Sequence, residues 1–275
     1  MKADKIFTEF EKDEEDSSPE IYELNLVSGG CRLYGYLLTP DNRIKKPYPT
    51  VIMSHGFPGY TTNNDLELAL MRAGCVVIHM NHRGAWGSEG NYMFTNLKDD
   101  LIAITKWAHN PAIADQYGID PDNMFLVGHS MGGQSVLNAA KELPFIRGVA
   151  ALAAYDIGAA FRYKMEKELF LMIETEGQCL KMNSAAEVYE NALEYREELS
   201  ILNQYERLEE HPVLFVEASL DSVAPADKMM RPLFCKLNEM SAPVTYKTIV
   251  SKHSFSGQRM ELAKAVAEWI ESNCV

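Results

Sequence analysis

The sequence predicts an α/β fold with a mostly parallel sheet, because strand patterns and helix patterns alternate along most of its 275 residues. Short continuous apolar runs, such as 75–80 and 147–155, are typical of buried parallel strands. Between such runs lie segments with apolar residues at helical spacing, for example 96–109. Strands that alternate with helices imply right-handed crossovers, and therefore parallel neighbouring strands.

The first two strands, 21–27 and 31–38, are expected to pair as a hairpin across the turn Ser28-Gly29-Gly30. Asp120-Pro121-Asp122 is expected to form a turn before the strand 124–127. An acidic cluster at 11–16 is expected to belong to a solvated lead-in. The remaining strands are expected at 50–54, 75–80, 147–155, 212–218 and 244–250, and helices at 64–73, 96–109, 134–142, 226–240 and 258–272.

Residues 157–210 differ in character from the rest of the chain. Strand-like runs are missing there, and Glu, Met, Tyr and Leu dominate at helical spacing. The segment 156–210 has 13 acidic and 6 basic residues, so an excess of 7 negative charges lies in it. A charged helical segment between two strands predicts a cap over one end of the sheet, inserted after the sixth strand. We therefore expect a core domain at 1–156 and 211–275 and a helical cap insertion at 157–210.

The charge of the chain argues against some partners. Its 26 basic and 39 acidic residues give a net charge of -13, which would repel nucleic acid and an anionic membrane surface. No run of about 18 apolar residues predicts a transmembrane helix. The acidic N-terminal stretch lacks the apolar region of a secretory signal, so a cytoplasmic location is expected. A homodimer is compatible with the sequence.

The cysteines predict neither a disulfide framework nor a zinc site, because their number is odd, at five, and no C-x-x-C pair occurs. Two histidines near one strand, His79 and His82, could suggest a metal, but no carboxylate motif accompanies them. Since no phosphate-binding glycine motif is present either, we expect no metal and no cofactor.

The strongest motif is Gly128-His129-Ser130-Met131-Gly132, which follows an apolar strand and precedes a helical stretch. This is the G-x-S-x-G pattern in the strand–turn–helix context that exposes a serine hydroxyl at the top of a sheet. The alternative is a strand-to-helix turn with an idle serine. The flanking strand and helix favour Ser130 as a nucleophile.

A serine nucleophile needs a base, and the base needs an orienting carboxylate. Loops that follow the carboxyl ends of parallel strands share one edge of the sheet. Asp221 and His253 each lie three residues beyond a predicted strand, so both are expected beside Ser130. Two other carboxylates, Asp156 and Glu217, remain candidates for the acid role, although Glu217 lies inside a strand.

The oxyanion of an acyl-transfer intermediate needs two backbone N–H donors. One is expected from Met131, which follows the nucleophile, and the other from Phe57 in the loop after the strand 50–54. Pro58 cannot donate, because it has no N–H. His55 precedes a glycine in this loop and is expected to make a structural hydrogen bond.

Several stretches together carry a family resemblance: His55-Gly56-Phe57-Pro58-Gly59, the loop 81–88, Asp120-Pro121-Asp122 before the 128–133 motif, Asp221 with Pro225, and His253-Ser254-Phe255. With them the chain resembles an α/β-hydrolase, and within that superfamily it is similar to the prolyl-oligopeptidase-like and acyl-esterase branches. The resemblance covers nearly the whole chain from about residue 20. It implies an eight-stranded, mainly parallel core sheet and serine hydrolase chemistry without a cofactor.

The resemblance also bears on individual residues and on the substrate. Arg83 resembles a residue that braces active-site loops, so a structural ion pair is expected rather than contact with substrate. We expect a serine esterase that acts on small to medium acyl esters. A serine peptidase or amidase of the acyl-peptide or dipeptidyl type is the alternative, although the chain has no room for the propeller domain usual among prolyl-oligopeptidase-like peptidases. A noncatalytic binding protein on the same scaffold is a third hypothesis.

Overall fold

An eight-stranded mixed sheet forms the centre of the computed structural model, which describes residues 1–10, 19–60 and 63–275. The expected lead-in cluster at 11–16 lies outside the described residues. The order of the strands in this sheet is β1-β4-β6-β5-β7-β8-β9-β10, and β2 and β3 form a separate two-stranded sheet. The strands are β1 (Glu20–Glu23), β2 (Leu26–Ser28), β3 (Cys31–Leu33), β4 (Gly35–Thr39), β5 (Tyr48–Ser54), β6 (Val76–Met80), β7 (Ile119–His129), β8 (Gly148–Leu152), β9 (Val213–Ala218) and β10 (Val244–Ile249).

The predicted parallel architecture is confirmed for six neighbouring strands, from β6 through β5, β7, β8 and β9 to β10. At one edge of the sheet the pairings are antiparallel, because β4 runs opposite to its neighbours β6 and β1. Every residue of β5, β6, β8 and β9 is buried, which explains why these strands are recognisable as continuous apolar runs.

Helices cover both faces of the sheet and bury its apolar side chains. On one face, α2, α4 and α10 pack on the sheet through residues such as Leu101, Val136 and Leu233. On the other face, α1 and α11 do so through residues such as Leu70 and Val266. The helices outside the insertion are α1 (Asn64–Arg72), α2 (Phe94–Ala108), α3 (Pro111–Tyr117), α4 (Met131–Ala140), α10 (Arg231–Glu239) and α11 (Arg259–Asn273).

The predicted N-terminal hairpin is divided into two pieces. β1 pairs with β4 in the main sheet, whereas β2 pairs with β3 across the expected turn. Leu26 and Leu33 leave the main sheet and pack into the core cluster that includes Leu101 of α2. The burial of this short ribbon against a helix therefore interrupts the two continuous strands that the sequence pattern predicts.

Two other segments differ from the sequence-based expectation. The helix α3 was not predicted, although Asn110 caps it by accepting a hydrogen bond from Ala112 N and Pro111 occupies its first turn. The expected turn at 120–122 lies within β7, where a local turn is closed by the 3.1 Å bond from Asp122 N to Asp120 Oδ1 and the register with β5 is irregular.

A helical insertion connects β8 to β9, after the sixth strand of the main sheet, as predicted. It packs around an apolar cluster separate from those on the two faces of the sheet. This cluster also includes Tyr92, Phe94 and Met131 from outside the insertion. The domain limits 1–156, 157–210 and 211–275 remain a prediction. Among the described helices, none is both long and apolar enough to cross a membrane. The insertion contains α5 (Ile157–Arg162), α6 (Glu166–Glu176), α7 (Ala185–Glu194), α8 (Arg196–Leu199) and α9 (Tyr205–Leu208).

Candidate active site

Ser130 occupies the sharp turn between β7, which ends at His129, and α4, which begins at Met131. Its backbone has φ 58° and ψ -122°, a conformation that costs energy for any residue with a side chain. Backbone hydrogen bonds hold the turn, from Ser130 N to Leu152 O at 2.9 Å and from Tyr155 N to Ser130 O at 3.0 Å. The sequence therefore forms the strained turn that the motif predicts.

Close packing of backbone explains the glycines around this serine. A Cβ atom on Gly128 would lie 2.1 Å from the carbonyl oxygen of Gly132, and one on Gly132 would lie 2.2 Å from the carbonyl oxygen of Ser54. No real Cβ atom tolerates such distances, since the neighbours are backbone atoms that cannot move aside. The two glycines are therefore required for space.

The structure brings the three predicted catalytic side chains together in one hydrogen-bonded chain. His253 Nε2 lies 2.9 Å from Ser130 Oγ, and His253 Nδ1 lies 2.6 Å from Asp221 Oδ2. Asp221 follows β9 and His253 follows β10, at the carboxyl edge of the parallel strands. This order of hydroxyl, imidazole and carboxylate is the geometry in which an imidazole can take a proton from a serine.

The carboxylate of Asp221 is buried and fully engaged. Its side chain is 2% exposed, and its Oδ1 accepts hydrogen bonds from Val223 N at 2.8 Å and Ala224 N at 2.9 Å. Burial acts to raise the pKa of Asp221, but the hydrogen bond from His253 and the two backbone donors outweigh it and lower that pKa below its ordinary value. Asp221 is therefore held as a carboxylate that can orient and stabilise a protonated His253.

The two rival carboxylates have other partners. Asp156 Oδ1 accepts a hydrogen bond from Ile201 N at 3.2 Å, within the helical insertion. Glu217 accepts hydrogen bonds from Arg231 and from the hydroxyl of Tyr246. Neither carboxylate is bonded to His253, so the geometry favours Asp221 in the acid position.

Phe57 and Met131, the two predicted oxyanion donors, lie in segments that adjoin Ser130. Met131 is the first residue of α4, and the loop containing Phe57 touches the serine, since a Cβ atom on Gly56 would lie 2.9 Å from Ser130 Cβ. Among the hydrogen bonds of the described residues, none uses the backbone N–H of Phe57 or of Met131. Both groups are therefore available to a developing negative charge on a substrate oxygen.

His55, at the start of this loop, and His82, which follows β6, have structural hydrogen bonds. His55 Nδ1 donates to Gly56 O at 2.7 Å, and His55 Nε2 accepts from His82 N at 3.3 Å. Burial, together with the nearby His82, lowers the pKa of His55 to about 3, so this ring is neutral. His82 Nε2 lies 2.9 Å from Ser54 Oγ. The expectation of a structural role for His55 agrees with these contacts.

Arg83 and His79 also bond to carboxylates of the scaffold. Arg83 Nε donates to Asp100 Oδ1 at 2.6 Å, and Arg83 N donates to Asp100 Oδ2 at 2.9 Å, which makes the expected structural ion pair. His79 Nδ1 lies 2.7 Å from Glu67 Oε1. In the part of the chain that the structure describes, no three His, Cys, Asp or Glu side chains are grouped as metal ligands would be.

Sequence reasoning assigned no role to His129, the residue just before the nucleophile. Its Nε2 donates to the backbone carbonyl of His253 at 2.8 Å. The two residues are 124 positions apart in the chain, so no local pattern could reveal the contact. The only sequence signal is that His129 occupies the variable position beside the serine in the G-x-S-x-G motif.

An apolar cluster, called the roof below, joins the helical insertion to the segments beside the candidate site. Met131, next to Ser130, and Ala224, three residues after Asp221, share this buried cluster with insertion residues such as Leu169. The ring of Phe57 packs against Tyr92 and Phe94 at centroid distances of 5.6 and 5.8 Å. Such surroundings exclude water and favour an apolar group of a substrate.

A comparison of the sequence with models of known protein families gives a match. Residues 45–182, half of the chain, match the model of a hydrolase family described as serine aminopeptidase, S33. The matched region includes Phe57, Ser130 and Met131 but ends before Asp221 and His253. No curated protein sequence matches the chain significantly.

Solved structures with a similar fold include esterases and a peptidase. The protein Est1E of Butyrivibrio proteoclasticus, solved with bound ferulic acid, has a TM-score of 0.69 at 18% identity over 91% of this chain and 98% of its own. A bacterial brefeldin A esterase, a homologue of human hormone-sensitive lipase, has 0.68 at 15%, over 97% and 82%. An acylaminoacyl peptidase of Pyrococcus horikoshii has 0.72 at 15%, over 94% of this chain but 42% of the peptidase. These similarities establish the α/β-hydrolase fold.

Proposed function

We propose that this chain, which belongs to the serine aminopeptidase (S33) family of α/β-hydrolases, is a serine hydrolase that cleaves carboxylic esters through an acyl-enzyme. The single observation that carries the proposal is the hydrogen-bonded chain from Ser130 through His253 to Asp221. The proposed substrates are small to medium acyl esters.

The proposed mechanism assigns each residue one task. Ser130 Oγ attacks the acyl carbonyl while His253 Nε2 takes its proton, and Asp221 stabilises the imidazolium. The N–H groups of Phe57 and Met131 bind the oxyanion of the tetrahedral intermediate. His253 then protonates the leaving alcohol, and a water molecule, activated by the same imidazole, hydrolyses the acyl-enzyme.

Ester substrates are favoured over peptides with a free N-terminus by the surroundings of the serine. The roof beside the site is apolar, which suits an acyl chain or an aromatic acyl group. A peptidase that recognises a free N-terminus needs an uncommitted carboxylate to bind the ammonium. Asp156, the buried carboxylate four residues beyond β8 on the insertion side, is already bonded to Ile201 N and lies 3.9 Å from Arg162 Nη1.

The alternative is a serine peptidase or amidase of the acyl-peptide or dipeptidyl type. The family description and the similarity to an acylaminoacyl peptidase are the observations in its favour. An acyl-peptide substrate has no free ammonium, so the commitment of Asp156 argues against the dipeptidyl form only. The chemistry at Ser130 would be the same except that His253 protonates an amine.

The test combines a covalent probe with substrates of both kinds. The protein is incubated with a fluorophosphonate, and p-nitrophenyl esters of increasing acyl length are compared with aminoacyl and acyl-aminoacyl anilides. The proposal expects labelling at Ser130 and ester turnover that peaks at one chain length, both lost in Ser130→Ala. Ser272→Ala is the matched control, because this serine lies at the end of α11 and its hydroxyl, within the described part of the chain, bonds to Trp269 O and Asn273 Nδ2.

Other outcomes decide between the alternatives. Labelling with turnover of anilides alone would move the function to a peptidase. Equal ester turnover by wild type and Ser130→Ala, or no labelling of Ser130, would contradict the proposed chemistry and revive a noncatalytic binding role. A homodimer and a cytoplasmic location stay predictions, which light scattering and cell fractionation would test.

A further inference from the structure

The loop 251–258, which carries His253, has few backbone hydrogen bonds of its own. It joins β10 to α11, and one bond closes its turn, from Phe255 N to Lys252 O at 2.9 Å. A second bond, from Gln258 N to Phe255 O at 2.9 Å, leads into the helix. The carbonyl groups of His253 and Ser254 are instead bonded by side chains from elsewhere in the chain.

The first of these side chains is His129. A carbonyl oxygen can only accept, so the 2.8 Å contact to His253 O requires the proton on His129 Nε2. His129 Nδ1 is then unprotonated, and it makes no hydrogen bond with any described residue. Burial, together with the neighbouring His253, lowers the pKa of His129 to about 3, so the ring is neutral near pH 7. Its single proton is then on Nε2, where it serves as the donor.

The position of His129 gives its hydrogen bond a consequence for the site. His129 immediately precedes Ser130 and its backbone belongs to β7, a central strand of the sheet. The bond therefore links the backbone beside the nucleophile to the backbone of the base, separately from the side-chain bond between Ser130 and His253. The ring of His129 also packs on the ring of His253 at a centroid distance of 4.8 Å.

The second side chain is Arg259, at the start of α11. Its Nη1 donates to Ser254 O at 3.0 Å. The same guanidinium bonds bidentately to Asp65 at 2.7 Å, and its Nη2 donates to Asn63 Oδ1 at 2.9 Å. Arg259 therefore ties the loop of the base to the start of α1, the helix that follows the loop of Phe57.

We propose that His129 and Arg259 are positioning residues, which clamp the carbonyls of His253 and Ser254 and so hold the imidazole at hydrogen-bonding distance from Ser130. The inference deepens the proposed function and rests on it for its kinetic effect. In this proposal neither His129 nor Arg259 contacts the substrate. Losing the clamp therefore lowers kcat, because an angstrom-scale displacement of a catalytic group can cost about 100-fold, and leaves KM nearly unchanged.

The test compares variants that keep or remove the donor at position 129. The Nε2 amide of Gln reaches about as far as the Nε2 of His and can donate to the same carbonyl, whereas Leu fills the space without a donor. We expect His129→Leu to lower kcat about 10- to 100-fold with KM changed less than about twofold, and His129→Gln to regain most of the loss. His211→Leu, in another buried histidine that lies before β9, is the control.

A second pair of variants keeps the proposal testable if His129→Leu does not fold. Arg259→Met is expected to lower kcat about 10-fold, and Arg259→Lys to lower it less, because Lys retains one donor. Lys98→Met, which removes the exposed ion pair with Glu142, is the control for loss of a surface charge. Circular dichroism of each variant confirms that only folded protein is compared.

A readout independent of ester turnover separates this inference from the proposed function. Because His253 Nδ1 lies only 2.6 Å from Asp221 Oδ2, we expect the proton of this hydrogen bond to give a strongly deshielded NMR signal. We expect the signal to broaden or vanish in His129→Leu and to persist in His129→Gln. If wild type shows no esterase activity while the signal behaves in this way, the clamp stands and the proposed function fails. Folded His129→Leu with wild-type kcat and an unchanged signal would overturn the clamp.

Discussion

Asp156 accepts a hydrogen bond from the backbone N–H of Ile201 at 3.2 Å, and this bond joins the two ends of the main part of the helical insertion. Asp156 immediately precedes α5, and Ile201 follows α8. Ser200 Oγ and Arg162 Nη1 lie 3.5 and 3.9 Å from the other carboxylate oxygen. The insertion therefore closes on a buried carboxylate that is separate from the candidate triad.

The buried Asp156 should make the stability of the protein depend on pH. Burial raises the pKa of Asp156 to about 6, although the Ile201 N–H and the charge of Arg162 act to lower it. A raised folded-state pKa contributes stability that is full below the unfolded value of 3.8 and is lost as pH rises through about 6. We therefore expect Asp156→Asn to stabilise the protein by about 1–3 kcal/mol at pH 8 and to have little effect near pH 4.

Urea unfolding at pH 8 and at pH 4 checks this expectation. Asp122→Asn, at an exposed position, serves as the control for loss of one negative charge. Equal stabilities of wild type and Asp156→Asn at pH 8 would contradict the burial argument.

The carboxylate of Asp221 should affect turnover far more than binding. Asp221→Asn keeps an acceptor for Val223 N and Ala224 N, so the turn should survive, but the amide cannot stabilise a protonated His253. We expect kcat to fall about 1,000- to 10,000-fold on the ester that wild type prefers, with KM little changed. Because the pKa of Asp221 is held below its ordinary value, its own protonation should not limit activity in weak acid. Steady-state kinetics of wild type, Asp221→Asn and the exposed control Asp227→Asn measure the difference.

Gly132, two residues after the proposed nucleophile, should not tolerate a methyl group. Gly132→Ala would place its Cβ atom 2.2 Å from Ser54 O, so strand β5 and helix α4 would have to separate. We expect a loss of at least about 3 kcal/mol in the free energy of unfolding. Gly30→Ala is the comparison: its Cβ atom meets nothing within 4 Å, and only its φ of +76° should cost about 1–2 kcal/mol. Denaturant unfolding measures both variants. A similar loss of unfolding free energy in the two would show that the structure around Gly132 can shift to accommodate the methyl group.

The ion pair between Arg83 and Asp100 should support the fold without contacting substrate. The Asp100 side chain is fully buried, so Asp100→Asn leaves the mostly buried charge of Arg83 with only the exposed Asp99 carboxylate, 3.9 Å away. We expect a loss of about 3–5 kcal/mol in unfolding free energy, against less than about 1 kcal/mol for Lys98→Met at the surface. In the fraction of Asp100→Asn that remains folded, KM for esters should equal that of wild type. A large rise in KM without loss of stability would assign Arg83 to substrate binding.

The sequence predicted the parts of this fold that follow local chemistry. Buried strands are recognisable because both faces are covered, and Asp221 and His253 could be chosen because each follows the carboxyl end of a strand. Asp156 and Glu217 could not be set aside from sequence, since their partners Ile201 and Arg231 are known only from the tertiary structure. The contact of His129 with His253 and that of Arg259 with Asp65 join distant segments and have no periodic signal.

The boundaries of elements were less predictable, because packing decides them. The ribbon of β2 and β3 leaves the main sheet to bury Leu26 and Leu33. The helix α10 begins at Arg231 rather than near 226, because the bond from Arg231 N reaches back five residues to Ala226 O and so interrupts the regular helical pattern at that point. The short helix α3 had clear end signals in Asn110, Pro111 and Gly118, and only its length made it easy to miss.

The placement of the candidate triad has a consequence for engineering. Ser130, Asp221 and His253 all lie outside the stretch between β8 and β9. The proposed catalytic groups and the insertion helices are therefore encoded in separate stretches of the gene. Grafting the corresponding stretch of a relative should therefore alter which esters are accepted without altering the reaction. A grafted segment must still pack against Tyr92, Phe94 and Met131 and supply a hydrogen-bond donor to the Asp156 carboxylate. These are residues outside the insertion helices with which the present insertion makes contact.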